Sequence, residues 1–168
     1  MDLILQSHWI AFGSPLMAGQ ASPADRRLRG QELFALDQAV LAHDETADPK
    51  LIYANATALR LWKRNWADMI GLPSRLTAEP DQQEERAQAL LLAQQKGAVS
   101  CYSGIRVDAA ARRFRIVNAR VWSINDGEGH KRGQAACFAN WWWLDPTWPA
   151  SRTCTQEKPP AAVEDKIY

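Results

Sequence analysis

Asn118 and Arg120 lie two residues apart inside Phe114–Ile124, a run that is otherwise apolar at alternate positions. On a regular strand Phe114, Ile116, Asn118, Arg120, Trp122 and Ile124 share one face. An amide and a guanidinium on an apolar wall require partners, and a bound small molecule can supply them. The competing reading is structural: a bulge turns the pair to solvent, or helix side chains satisfy it. Segments expected to flank the same wall contribute Tyr53, Asn55, Trp62, Tyr102 and Cys137. The candidate ligand-lining set is therefore Tyr53, Asn55, Trp62, Tyr102, Phe114, Asn118, Arg120, Trp122 and Cys137. No residue is assigned a catalytic role.

Other chemistries find less support. His8, His43 and His130 fall in separate segments, without the His–His or Cys–His spacing of a zinc site. Cys101, Cys137 and Cys154 include no C-x-x-C pair and cannot form a fully paired framework, which suggests a reducing cytoplasm. There is no G-x-S-x-G, phosphate loop or H-E-x-x-H. A small enzyme using the same concavity would draw on Asn118, Arg120, Tyr53 or Glu79. The inner faces offer few carboxylates for acid–base work, so an enzyme is the less favoured alternative. Arg75 and Glu79 read as a structural ion pair or as side chains that fix a loop. Arg106, Arg112, Arg113 and Arg115 read as an exposed basic patch.

A net charge of +1 leaves no long-range field for nucleic acid or an anionic membrane. No apolar run reaches the ~18 residues of a membrane span, and Met1–Leu5 lacks the positive start of a secretory signal. Eight tryptophans are many for 168 residues. Trp62 and Trp122 sit at core-like positions. Trp141, Trp142 and Trp143 cannot all point inward on one strand, so at least one marks an interface or a contact with the N-terminal arm, with self-association the favoured use.

These residues need elements to hold them. Leu3, Ile4, Trp9, Ile10, Phe12 and Leu16 suggest one face of a short helix, broken near Gly13 and Pro15. Gly19–Pro23 reads as a linker and Ala24–Leu33 as a charged helix. Ala39–His43 and Leu51–Ala54 are candidate hairpin strands around the polar Asp44–Lys50. Asn55 then caps a helix over Ala56–Trp62 by accepting a backbone N–H of its first turn. A further turn covers Trp66–Ile70. Asp81–Lys96 is the clearest helix, with Asp81 and Glu84 in capping-box spacing, a stripe of Ala87, Leu90, Leu91 and Ala98, and Gly97 as its stop. Val99–Val107, Arg113–Ile124 and Gly133–Trp143 are strands, the last two joined by the turn-rich Asn125–Gly129.

Hairpins at both ends with helices between them give one antiparallel sheet whose inner face the central helices cover. The fold class expected is α+β: a five-stranded antiparallel sheet with helices on one face and an N-terminal helical arm. The expected divisions are 1–33 (arm), 34–145 (folded domain) and 146–168 (flexible tail).

At this point the residues resemble the PAS superfamily and, within it, the MEKHLA domain. Leu51–Trp62 looks like a PAS strand entering its first helix. The MEKHLA resemblance runs from about Leu36 to Trp142. It rests on Asp48–Trp62, Leu72–Pro80, Tyr102–Val107, Arg112–Ile116, Asn118–Trp122 and Gly133–Ala136 in the family's order. The resemblance implies a PAS-like fold and a sensory role toward a small molecule, redox state or light. It also implies stand-alone bacterial relatives and plant regulators that carry the domain at their C-terminus. No homeodomain or zipper accompanies it here. Haem-binding PAS proteins tend to supply a His from the long helix, and light-sensing ones a Cys from a middle helix. Those helices carry neither here, so a photoadduct is not expected, while non-covalent flavin or haem stays open. Ala111 stands where a Gly usually precedes the Arg-Arg-Phe-Arg block, which implies a hairpin turn built differently.

The reading that results is a cytoplasmic, PAS-like ligand-binding module that signals through a homodimer or a partner. The alternatives are a small pocket enzyme and a ligand-free interaction domain.

Overall fold

Strand and helix boundaries follow the switch from two-residue to helical periodicity. In the computed structural model the described residues are 1–18, 25–80 and 83–147. They form α1 (Asp2–Phe12), α2 (Arg26–Ala35), β1 (Ala39–His43), β2 (Leu51–Ala54), α3 (Ala56–Trp62) and α4 (Trp66–Met69). A 3-10 turn (Ser74–Thr77) and α5 (Gln83–Lys96) follow, then β3 (Ala98–Val107), β4 (Arg113–Asn125), β5 (Lys131–Phe138) and β6 (Asn140–Trp143). The expected linker at Gly19–Pro23, the Asp81 cap and the tail beyond Thr147 lie outside the described residues.

The sheet is antiparallel throughout, in the order β2-β1-β5-β4-β3, with β6 also on β4. It counts six strands rather than five because the last expected strand breaks at Ala139. The pairs Arg120↔Cys137 and Val117↔Asn140 belong to one register, so β5 and β6 are two halves of a single partner of β4.

At that break β4 carries one extra residue. Its partner β3 carries one too: Val99 faces Val121, Tyr102 faces Ala119 and Gly104 faces Ile116. The extra residues are Cys101 and Asn118, with left-handed φ of 64° and 54°. Asn is among the few non-glycine residues that visit that region readily. Two opposed bulges cancel in register, but each reverses the side-chain alternation of its own strand.

The single-face expectation for β4 therefore fails at Asn118. Phe114 and Ile116 point to the helices α3–α5, and beyond the bulge Ala119 and Val121 take over that side. Trp122 and Ile124 pack in a second cluster with Ile4 and Leu5 of α1, on the opposite face, where Arg120 meets His8. Asn118 itself is exposed.

The N-terminal arm is thus one wall of a core. Ile4, Leu5 and His8 are its buried face and Phe12 leans on the same cluster, whereas Trp9 and Ile10 point to solvent, contrary to the face expected. The sequence pattern misled because the helix packs through a histidine that pattern reading counts as polar.

The α5 stripe also differs from expectation. Ala87 and Leu91 are exposed and Leu90 is half-buried. The hairpin before β4 keeps the geometry a glycine would take: Ala111 stands at φ 58°, and Asp108 ties the turn by accepting from the backbone N–H of Ala110 and Arg112. The turn is not rebuilt around the alanine. The alanine adopts a left-handed conformation that costs roughly 1–2 kcal/mol.

Candidate functional site

The inner face of the sheet and α5 enclose a cavity of about 50 Å³. A water needs ~10–15 Å³, so the space takes a few waters or a small organic molecule. Its floor is small and apolar: Ala119 and Val121 from β4, Ala136 from β5 and Leu41 from β1. Alternation makes this floor, because Cys137 and Trp122 fall on the far side of the same strands.

Polar groups enter from four elements. On β3, Tyr102, Gly104 and Arg106 are spaced to share one face. Arg106 is only 5% exposed. Its Nη2 donates to the Tyr102 hydroxyl at 2.7 Å and its Nη1 to the Ile105 carbonyl at 2.7 Å, and the guanidinium lies 5.4 Å from the Tyr102 ring centre. Gly104 makes the pair fit: a Cβ there would stand 2.7 Å from the Tyr102 hydroxyl and 3.0 Å from Arg106 Nη1. From β5, Gln134 donates to the Leu90 carbonyl of α5 at 2.9 Å, which ties helix to sheet across the cavity. From β1, His43 is buried, with Nδ1 donating to the Asp44 carbonyl at 2.7 Å. From α3, Trp62 brings a buried indole N–H that meets no acceptor among the described residues.

His43, Leu90 and Gln134 also line a wider groove of about 620 Å³ between the 44–49 loop and α5, the natural mouth of the cavity. Asp44 organises that loop. It accepts from the N–H groups of Thr46 and Lys50 and from the Thr46 hydroxyl. Its partial burial opposes ionisation, but the Thr46 hydroxyl, both backbone bonds and the nearby His43 outweigh this and hold the carboxyl below its usual range. Arg75 is paired bidentately with Asp48 at the rim, at 3.0 and 3.2 Å, and Glu79 with Arg113 at 3.0 Å.

Of the nine candidate residues, Tyr102 and Trp62 line this cavity. Phe114 sits behind Trp62, ring centres 5.1 Å apart. Asn55 is fully buried and fully used: its carbonyl oxygen accepts from Val40 and Ala58, and its amide donates to Leu36 and Gln38. It locks α3 to β1. Tyr53 packs toward the α1 side, 6.1 Å from the Trp66 ring; burial pushes its phenol up to about 12.

Arg120, Trp122 and Cys137 belong to the opposite face, for the bulge reason given above. Burial pushes the Cys137 thiol up to about 11, against the lowering pull of Arg120. Asn118, Arg120 and Cys137 instead border a polar recess of about 380 Å³ near Ser14 and Pro15.

Arg106 is the residue that the basic-patch reading missed. Its signal was available: two-residue spacing from Tyr102 through Gly104 puts it on the face already assigned inward. Its supposed patch-mate Arg112 is exposed and stacks 3.9 Å from the Trp143 ring centre. In the β4–β5 hairpin Asp126, Glu128 and His130 approach within 4.8 Å of one another, but Asp126 is already engaged by Arg132 and by the backbone N–H groups of Glu128 and His130.

Among the described residues no helix is long and apolar enough to cross a membrane. A family model described as the MEKHLA domain matches residues 1–143. Similar solved structures include the PAS domain of a protein from Colwellia psychrerythraea. That match has a TM-score of 0.60 and 14% identity, covering 66% of this chain and 92% of that one. An RNA-binding light–oxygen–voltage receptor matches at TM-score 0.61 and 18% identity, over 79% of this chain and 36% of that one. A light–oxygen–voltage domain studied with a flavin analogue matches at 0.56 and 15%, over 73% and 87%. Among curated proteins none matches the sequence. At these identities the likeness is one of fold, and the fold is PAS-like.

Proposed function

The chain belongs to the MEKHLA domain family, and on that premise we propose a PAS-like sensory module in which a small molecule occupies the space between sheet and α5. The cavity carries the reading: residues bearing a buried guanidinium, a phenol and an indole N–H without an acceptor among the described residues line one mostly apolar hollow. Native mass spectrometry of freshly purified protein, with melting temperatures across a metabolite panel, tests the reading. A retained or stabilising small molecule is expected; none in either assay overturns it.

The output is assigned to self-association through β6. Trp141, Trp142 and Trp143 are 36%, 47% and 39% exposed, and among the described residues no strand covers the outer edge of β6. A second copy pairing edge to edge would bury that surface. Sedimentation of the wild type as a dimer and of Trp142→Glu as a monomer is expected. A monomeric wild type at high concentration redirects the output to a different partner. Cytoplasmic residence is proposed from the free thiols of Cys101 and Cys137.

A further inference from the structure

Resting on that reading, we propose that the cavity is a site for short-chain carboxylates, with Arg106 pairing the anion. A guanidinium cannot shed its proton, and burying it without a counter-charge costs several kcal/mol. The chain supplies counter-charges elsewhere: Asp108 for Arg112, Glu79 for Arg113, Asp126 for Arg132. Among the described residues none is within 4.0 Å of Arg106, which bonds only to a carbonyl and a phenol.

The neighbouring groups point the same way. The Tyr102 oxygen already accepts from Arg106, so its own proton is left to donate. The Trp62 N–H is buried without an acceptor among the described residues. Donors carried by three residues that line one hollow match an acceptor-only ligand, and an ionised carboxylate is acceptor-only on both oxygens. Gly104 leaves room for this arrangement, since a Cβ there would strike both the phenol and the guanidinium. Of the remaining lining, Ile116, Ala119, Val121 and Ala136 are apolar and suit a short alkyl chain, while His43, Thr77 and Gln134 add polar groups beside them. At about 50 Å³ the cavity takes an acid of about two to four carbons.

The test compares propionate with propionamide and with chloride at equal ionic strength, read by melting temperature and by chemical-shift titration. Propionate is expected to bind saturably and at least tenfold more tightly than either control. Arg106→Gln is expected to weaken propionate by about 10- to 100-fold. Equal binding of acid and amide, a match by chloride, or unchanged affinity in Arg106→Gln overturns the carboxylate assignment while leaving a ligand pocket standing. If that variant does not fold, the acid–amide ratio in the wild type decides alone. Binding of none of the three overturns the assignment; Ala136→Leu then judges the sensory reading, because raised stability would mark the hollow as a plain void.

Discussion

The two faces of this sheet treat an inward-turned arginine differently. Toward α1, Arg120 spreads over the Phe12 ring at 5.2 Å and donates to His8 Nε2 at 3.3 Å, while His8 Nδ1–H donates to the Ser14 carbonyl at 3.1 Å. His8 and Phe12 in turn pack edge-on against Trp122. Toward α5, Arg106 has a single tyrosine, Tyr102, and the Ile105 carbonyl beside the cavity. The α1 face packs its arginine between a histidine and a phenylalanine at the rim of an open polar recess, whereas the α5 face sets its arginine on the wall of a small, mostly apolar cavity. The proposed function takes the first side as structural support and the second as the ligand's side.

If that contrast holds, truncation should hurt the α1 face far more than enlargement hurts the other. Trp122→Ala is expected to cost about 3–5 kcal/mol in denaturant unfolding, the range for a fully buried large aromatic, whereas Ala119→Leu changes stability by less than about 1 kcal/mol because it grows into existing space. Equal penalties would erase the distinction. Gly133→Ala strikes the floor common to both: its Cβ would collide with the His43 carbonyl of β1, and φ there is 146°. A loss of about 3 kcal/mol is expected, with both faces loosened together in hydrogen exchange.

Asn118→Val tests whether the bulge sorts residues between the faces. A β-branched side chain disfavours left-handed backbone, so a loss of about 1–2 kcal/mol is expected, while Asn118→Gly is tolerated.

Acid should loosen the α1 face. Burial, then the Arg120 charge, lowers the His8 pKa from 6.5 against the opposing Ser14 bond. The unfolded chain therefore binds this proton more readily than the folded one. Stability from this group is full above about pH 6.5 and falls as pH drops through that value. Hydrogen exchange across α1 should accelerate there, and His8→Gln should flatten the profile. The contribution of Asp108 lies lower. Burial opposes its ionisation, but bonds from Arg112 and Ala110 and the Lys63 charge prevail, so its stabilisation is lost only as pH falls below about 3.8. The smallest effect expected is a gain: Ala111→Gly relieves left-handed strain and should stabilise by about 0.5–1 kcal/mol in thermal unfolding.

Local grammar made the fold readable. The Asn55 cap, the β4–β5 hairpin and the strand limits all follow from nearest neighbours, and the structure agrees to within a few residues. The site was less legible for a physical reason. Pattern reading assumes unbroken alternation, and one left-handed asparagine reverses it halfway along the longest strand. Unbroken alternation therefore puts everything beyond Asn118 on the wrong side. Arg106 was grouped by charge with its sequence neighbours, although its two-residue spacing from Tyr102 placed it inside. The docking of α1 could not be read from amphipathicity, because its central anchor is a neutral histidine whose partner lies 112 residues away.

The break at Asn118 and Ala139 also has a mechanical meaning. A continuous ribbon of paired strands transmits bending smoothly, but one creased at a single rung folds there first. Ile116 and Ala119, the cavity residues on either side of that crease, are the ones a guest would press against. Widening the hollow by a fraction of an ångström would then tilt the lever formed by β6 and swing the indole cluster at its tip.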